Sequence, residues 1–202
     1  MKIKIITGSQ RPESNSKKLG FLLKEKLEKT VPDVQTDVLC LFDSGLPYWN
    51  QDKWNPESQQ WNDLWKPISD ELKDCDGFIF VAPEYNGMVP PIMTNFFLLC
   101  EAGELAHKAG LLVSVSAGNN GVYPISELRA YSFKNNKVCF IPEHLIIRNV
   151  NKILDIEHTS DDKNYIFERI EYTMPVFAQY VKALKHVRSS GKTKTDQFGF
   201  GM

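Results

Sequence analysis

Three short polar segments carry the side chains best suited to chemistry. The first is Gly8-Ser9-Gln10-Arg11-Pro12-Glu13-Ser14-Asn15-Ser16, which runs into a helical pattern. The free N–H groups of a helix start, with short hydroxyls beside them, suit a phosphate. Arg11 adds a fork of donors matched to phosphate oxygens. Neither GxGxxG nor GxxxxGK followed by Ser or Thr occurs. The segment therefore suits a monophosphate held by amides and hydroxyls better than a pyrophosphate laid along glycines. A plain helix start capped by Ser14 or Ser16 accounts for the same residues. The second segment is Pro83-Glu84-Tyr85-Asn86-Gly87-Met88-Val89-Pro90-Pro91. Its Pro, Asn and Gly make a rigid, sharply turned wall, which can offer backbone donors and one aromatic face to a flat heteroaromatic ring. An ordinary strand-to-helix turn with an exposed Tyr85 is the plainer alternative. The third runs from Ser116 through Gly118 to Gly121, and its glycines let the backbone approach a ring edge closely. It too can be read as a turn.

Such segments need strands before them and helices after them. Residues 2–6 form a β-branched run that stops at Thr7-Gly8-Ser9. From Ser16 onward Leu19, Leu22, Leu23 and Leu27 recur at helical spacing until Pro32. Residues 34–41 read as a second strand, which completes a βαβ unit and implies a parallel pair. Residues 45–66 look like an irregular insertion holding Trp49, Trp54, Trp61 and Trp65. The last two share a face of a second helix expected over 58–74. Residues 77–82 are continuously apolar, as in a strand covered on both faces. Helices are expected over 92–101, 126–134 and 161–186. Strands are expected over 110–116 and 137–141, with 145–147 continuing the last beyond Pro142. Five alternations imply an α/β three-layer sandwich around an open parallel sheet. In the strand order 2-1-3-4-5 the polar segments follow strands one, three and four, which are neighbours. They then converge on one crevice at the carboxyl ends of the strands.

Composition narrows the partners. A net charge of -1 with both signs interspersed gives no electrostatic reason to expect nucleic acid or an anionic membrane. No apolar run is long enough to cross a bilayer, and the apolar N-terminal run is too short for a signal peptide. A cytoplasmic location is expected. Cys40, Cys75, Cys100 and Cys139 form no CxxC pair and read as small buried hydrophobes rather than metal ligands or a redox dithiol. His107, His144, His158 and His186 are scattered, without a Cys or Asp partner at a recognisable spacing, so no catalytic side chain and no metal is expected. Residues 1–188 read as one domain. Residues 189–202 read as a tail, either disordered or docked on a partner subunit.

Gly8-Ser9-x-Arg11 with Ser14 and Ser16, then Pro83-Glu84-Tyr85-Asn86-Gly87, then Ser116-x-Gly118-x-x-Gly121, in this order and spacing, resemble the NAD(P)H-dependent FMN reductases. The middle motif is the most specific, and Leu128-Arg129 falls where that family has a similar pair. The resemblance spans about residues 1–150. It implies a flavodoxin-like fold whose cofactor is FMN and whose electron donor is NADPH or NADH. It further implies hydride transfer to FMN N5 and reduction of a flavin, quinone or similar small acceptor, in a homodimer or homotetramer. By the same resemblance Ser9, Arg11, Ser14 and Ser16 hold the phosphate. Pro83, Glu84, Tyr85, Asn86 and Gly87 line the isoalloxazine, and Ser116, Gly118 and Gly121 approach its pyrimidine side. Met88, Thr94, Leu98 and Val122 depart from the family pattern. They leave open an FMN-binding or regulatory module without efficient turnover.

Overall fold

The computed structural model describes residues 1–201. Five parallel strands, β1 (Lys2–Thr7), β2 (Gln35–Cys40), β3 (Gly77–Pro83), β4 (Ala109–Val115) and β5 (Cys139–Ile147), lie in the order β2-β1-β3-β4-β5. Every residue of β3 and β4 is buried, because helices cover both faces of the sheet. The apolar runs seen in the sequence thus mark its centre.

One face of the sheet packs on α1 (Asn15–Thr30), α7 (Val150–Leu154) and α8 (Asp161–Ser189). In α1, Leu19, Leu23 and Leu27 recur at helical spacing and are fully buried. Burial of each stabilises by about 1.5–3 kcal/mol, against about 1 kcal/mol for a side-chain cap. Packing, more than the cap, holds this helix. The opposite face carries α2 (Gln59–Leu64), α3 (Lys66–Asp74), α4 (Pro91–Leu99), α5 (Ala102–Leu105) and α6 (Val122–Tyr131). Phe78, Phe80, Phe96 and Phe97 form an aromatic cluster there, with Phe80 and Phe97 centroids 4.8 Å apart.

The helix expected over 58–74 is two helices. They meet at Trp65, and Pro67 lies in the first turn of the second. Proline has no N–H to donate and its ring crowds the preceding turn. Trp61 and Trp65 are both buried in the core. The fifth strand is continuous through Pro142, and the register slips where Gly110 pairs with Phe140 but Leu112 pairs with His144. Arg129 Nη2 donates to the Ile141 carbonyl at 2.6 Å and to the Pro142 carbonyl at 3.2 Å, and so satisfies the bulged backbone.

The insertion folds back on α4. Asn95 Nδ2 donates to the Pro47 carbonyl at 2.9 Å, while Asn95 Oδ1 accepts from Trp49 N at 2.8 Å. At the other end of the sheet, Lys108 is buried, and its Nζ donates to the Leu72 and Lys73 carbonyls at 2.8 Å each, capping α3. Burial pushes this ammonium down to about 8. In the C-terminal segment, the Phe198 carbonyl accepts from Lys137 Nζ, and Phe200 lines a cleft with Trp49, Trp54 and Tyr131. Among the described residues, no helix is long and apolar enough to cross a membrane. Nor does any group of three or more His, Cys, Asp or Glu there suit a metal ion.

Candidate functional site

The strand order places the loops after β1, β3 and β4 side by side. The loop after β1 turns into α1 at Ser14, whose Oγ accepts from Lys17 N at 3.1 Å as the N-cap. Ser16, two residues on, is 2% exposed, and its hydroxyl has no hydrogen-bond partner among the described residues. Arg11 is exposed. Its guanidinium lies 5.2 Å from the Tyr85 ring centroid, a cation–π distance, and meets no carboxylate. Ser9 Oγ is 2.8 Å from the Tyr85 phenolic oxygen and accepts from Arg11 N at 3.2 Å. Arg11, Ser14, Ser16, Pro83, Glu84 and Tyr85 line one cavity of about 210 Å³.

The loop after β3 is a miniature hairpin. Tyr85 and Met88 exchange two backbone hydrogen bonds, each 3.0 Å long. Asn86 and Gly87 stand between them with φ of 53° and 75°. Two consecutive positive φ values define a type I′ turn, which Asn-Gly adopts most readily. This loop is tied down by two carboxylates. Glu84 Oε2 accepts from Gly121 N at 2.7 Å, and Glu127 Oε2, from α6, accepts from Val89 N at 2.8 Å. Glu127 Oε1 also accepts from the Tyr131 phenol at 2.5 Å. Burial and the adjacent Glu127 carboxylate raise that phenol to about 12.

The loop after β4 begins at Ser116, whose N–H donates to the Ile147 carbonyl at 2.9 Å and whose Oγ accepts from Gly118 N at 3.2 Å. A Cβ at Gly118 would find open space, whereas one at Gly121 would sit 2.7 Å from Ile146 Cγ2. Gly121 also has φ of 109°, where a side chain is strained. Ser114 Oγ donates to the Gly121 carbonyl.

The structure therefore places the expected residues in two groups. Six line the cavity, and Ser9 bonds to one of them. Asn86, Gly87, Ser116, Gly118 and Gly121 shape the two loops beyond it. The cavity also takes in Asn15, Lys18 and Val150. Asn15 lies within the hydroxyl segment and Lys18 just beyond it, so both were within reach of sequence reading. Val150 had no signal, because it belongs to α7, a five-residue helix entered through a left-handed Asn149. Glu127 was equally hidden, since its partner Val89 is distant in sequence and set by the fold.

Backbone amides, the hydroxyls of Ser14 and Ser16 and a guanidinium without a carboxylate at the start of a long helix form a fitting cradle for a phosphate. A rigid hairpin and the open side of Gly118 bound the space above it. Fold and site together define a flavodoxin-like protein with a polar crevice at the carboxyl ends of β1, β3 and β4. The model of the NADPH-dependent FMN reductase family matches residues 1–152, and the chain belongs to that family.

A quinone reductase of Pseudomonas putida is 31% identical over 94 residues, a match spanning 46% of each chain. The matched stretch thus covers about half the length of that curated relative. Among solved structures, an oxidoreductase from Corynebacterium diphtheriae superposes with a TM-score of 0.69 at 10% identity, over 90% of this chain and 97% of its own. The flavoenzyme NAD(P)H:(acceptor) oxidoreductase FerB from Paracoccus denitrificans gives 0.64 at 18% identity, over 90% and 97% of the two chains. At these identities the likeness is one of fold.

Proposed function

We propose that the protein is an FMN-dependent oxidoreductase that takes electrons from NADPH or NADH and delivers them to a quinone, flavin or similar small acceptor. The observation that carries this reading is one cavity lined together by Ser14, Ser16, the Arg11 guanidinium and the start of α1, in which the Ser16 hydroxyl and that guanidinium have no hydrogen-bonded or carboxylate partner among the described residues. The Ser16 hydroxyl faces that cavity, where a phosphate oxygen can accept from it. Bound FMN supplies the redox centre, and the chain's own residues position and shield it. Ser9, Arg11, Ser14 and Ser16 hold its phosphate. The 83–87 hairpin forms a wall for the ring, and Gly118 leaves the ring room. No side-chain acid, base or nucleophile is required.

The family and the quinone reductase relative support the choice of cofactor and acceptor class. The free state of all four cysteines suits a cytoplasmic protein. A homo-oligomer, dimer or tetramer, is favoured by apolar side chains left exposed on the hairpin, α4 and the start of α6. These are Met88, Leu98, Val122 and Tyr123.

The test is the absorption spectrum of the purified protein with FMN added, followed by anaerobic addition of NADPH or NADH. Bound-flavin bands that bleach on addition are expected. A protein that leaves excess FMN unbound removes the flavin reading. One that binds FMN but is inert to both nicotinamides is a binding module instead.

A further inference from the structure

A different cavity, about 480 Å³, lies on the far side of the loop after β4. It opens at the carboxyl end of β5, between α7 and the first turns of α8. Ile146, Ile153 and Ile166 give it an apolar floor, and Tyr165 stands at its edge with a 61% exposed ring. Two cations, Arg148 and Lys152, stand among the polar groups around that floor. Lys152 makes no ion pair among the described residues. Arg148 Nε donates to the Asn119 and Asn120 carbonyls at 2.7 and 3.1 Å, and both its Nη atoms have no protein acceptor there. His158 and Asp162 complete the rim.

We propose that this cavity receives the adenosine-phosphate half of the nicotinamide donor. The assignment rests on the reductase reading above. Two cations without an ion pair, against the single carboxylate of Asp162, leave the lining net positive beside an apolar floor and call for an anion joined to an apolar or aromatic body. The Tyr165 ring offers a stacking face for a purine, and the Asp162 carboxylate can accept from a ribose hydroxyl. The position also fits. The flavin-side cavity is lined by Ala117 and Val150, and this one by Asn119, Asn149 and Lys152. Only the turn 117–120 and the first turn of α7 stand between them. A dinucleotide with its nicotinamide over the flavin needs such a neighbouring site for its other half. The two sites share a wall, because Asn149 N donates to the Gly118 carbonyl at 2.9 Å and Asn149 Nδ2 to Asn119 Oδ1 at 2.9 Å.

The experiment is calorimetric titration of the FMN-loaded protein with adenosine 2′,5′-bisphosphate and, separately, ADP. The wild type is compared with Lys152→Glu and Tyr165→Ala, and the FMN Kd is measured for every variant. Both substitutions fall on exposed side chains without protein partners, so folding is preserved. The expected result is binding of at least one probe to the wild type, weakened about tenfold by either substitution, with the FMN Kd unchanged. A parallel rise of about tenfold in the KM of the donor is expected. Binding restricted to the bisphosphate identifies an NADPH enzyme; equal binding of ADP identifies the pyrophosphate as the group read. Both results support the site. Failure of both probes to bind at millimolar concentration overturns it, as does equal affinity in all three proteins. A protein that never binds FMN instead sinks the reductase reading, so the two failures are distinguishable.

Discussion

The loop after β1 and the paired loops after β3 and β4 use the same kinds of polar group to opposite ends. In the first, the Ser16 hydroxyl and the Arg11 guanidinium stay free of hydrogen-bonded and carboxylate partners, while Ser14 is engaged as a cap and Ser9 with Tyr85 and the Arg11 amide. In the paired loops nearly every strong group is taken. Glu84 holds Gly121, Glu127 holds Val89 and Tyr131, and the 85–88 turn closes on itself. One region is receptive and the other is a preformed wall. The difference shows how a single crevice divides binding from positioning. The charge a ligand must meet is left bare, while the surface that must not move is cross-linked by carboxylates.

Glycine substitutions break this comparison most sharply. Gly121→Ala forces a side chain into positive φ and against Ile146, and we expect a loss of about 2–4 kcal/mol in urea unfolding. Gly118→Ala meets nothing and should stay within about 0.5 kcal/mol of wild type, yet weaken FMN. Equal stability losses at both positions would remove the distinction between wall and open space. Next in size is Glu84→Ala. It strips a charged acceptor from the Gly121 amide and should cost about 1.5–3 kcal/mol, with Glu84→Gln recovering much of that loss because one acceptor oxygen remains. If Glu84→Ala is neutral, the two loops are not joined through this contact.

The two serines of the first loop sharpen the contrast at smaller scale. Ser14→Ala removes the α1 cap and should cost about 1 kcal/mol. Ser16→Ala removes a hydroxyl with no protein partner and should leave stability nearly unchanged. It should nonetheless weaken FMN about 10- to 100-fold, as the loss of a hydrogen bond to a charged group predicts. Unfolding curves and FMN titrations of both variants decide the matter. A Ser16→Ala protein with wild-type FMN affinity would move the phosphate elsewhere.

The contrast also explains what the sequence let one read. Strand order and crevice were legible because β3 and β4 are unbroken apolar runs and each loop opens with turn residues. The hydroxyl loop was legible because its chemistry is local. The Asn86-Gly87 turn was legible for the same reason. The wall was not. Glu84 was expected as a ring contact and Glu127 looks like any surface acid; that they anchor Gly121 and Val89 follows only from the sheet, across sequence separations of 37 and 38 residues. Asn95 likewise pins the tryptophan insertion through the Pro47 and Trp49 backbone, residues far from it in sequence. A contact made by topology leaves no pattern in the chain.

Glu127 allows the most delicate probe of the wall. Its carboxylate accepts from Val89 N through one oxygen and from the Tyr131 phenol through the other. Burial is the larger cause of the raised Tyr131 pKa, about 12, and the negative charge of Glu127 adds to it. Glu127→Gln keeps an acceptor but removes the charge, so the Tyr131 pKa should fall towards its ordinary value of about 10 without reaching it, because the burial remains. Stability follows the same sign. A phenol whose folded pKa exceeds its unfolded value contributes stability that is present below about pH 10 and is lost as pH rises through about 12. The variant should therefore show a smaller loss over that window than the wild type. Ultraviolet titration of tyrosinate absorbance, with Tyr131→Phe to assign the step, reads the shift directly. An unchanged Tyr131 titration in Glu127→Gln would mean that the carboxylate is not held against the phenol in solution, leaving Glu127 tied to the hairpin through Val89 N alone.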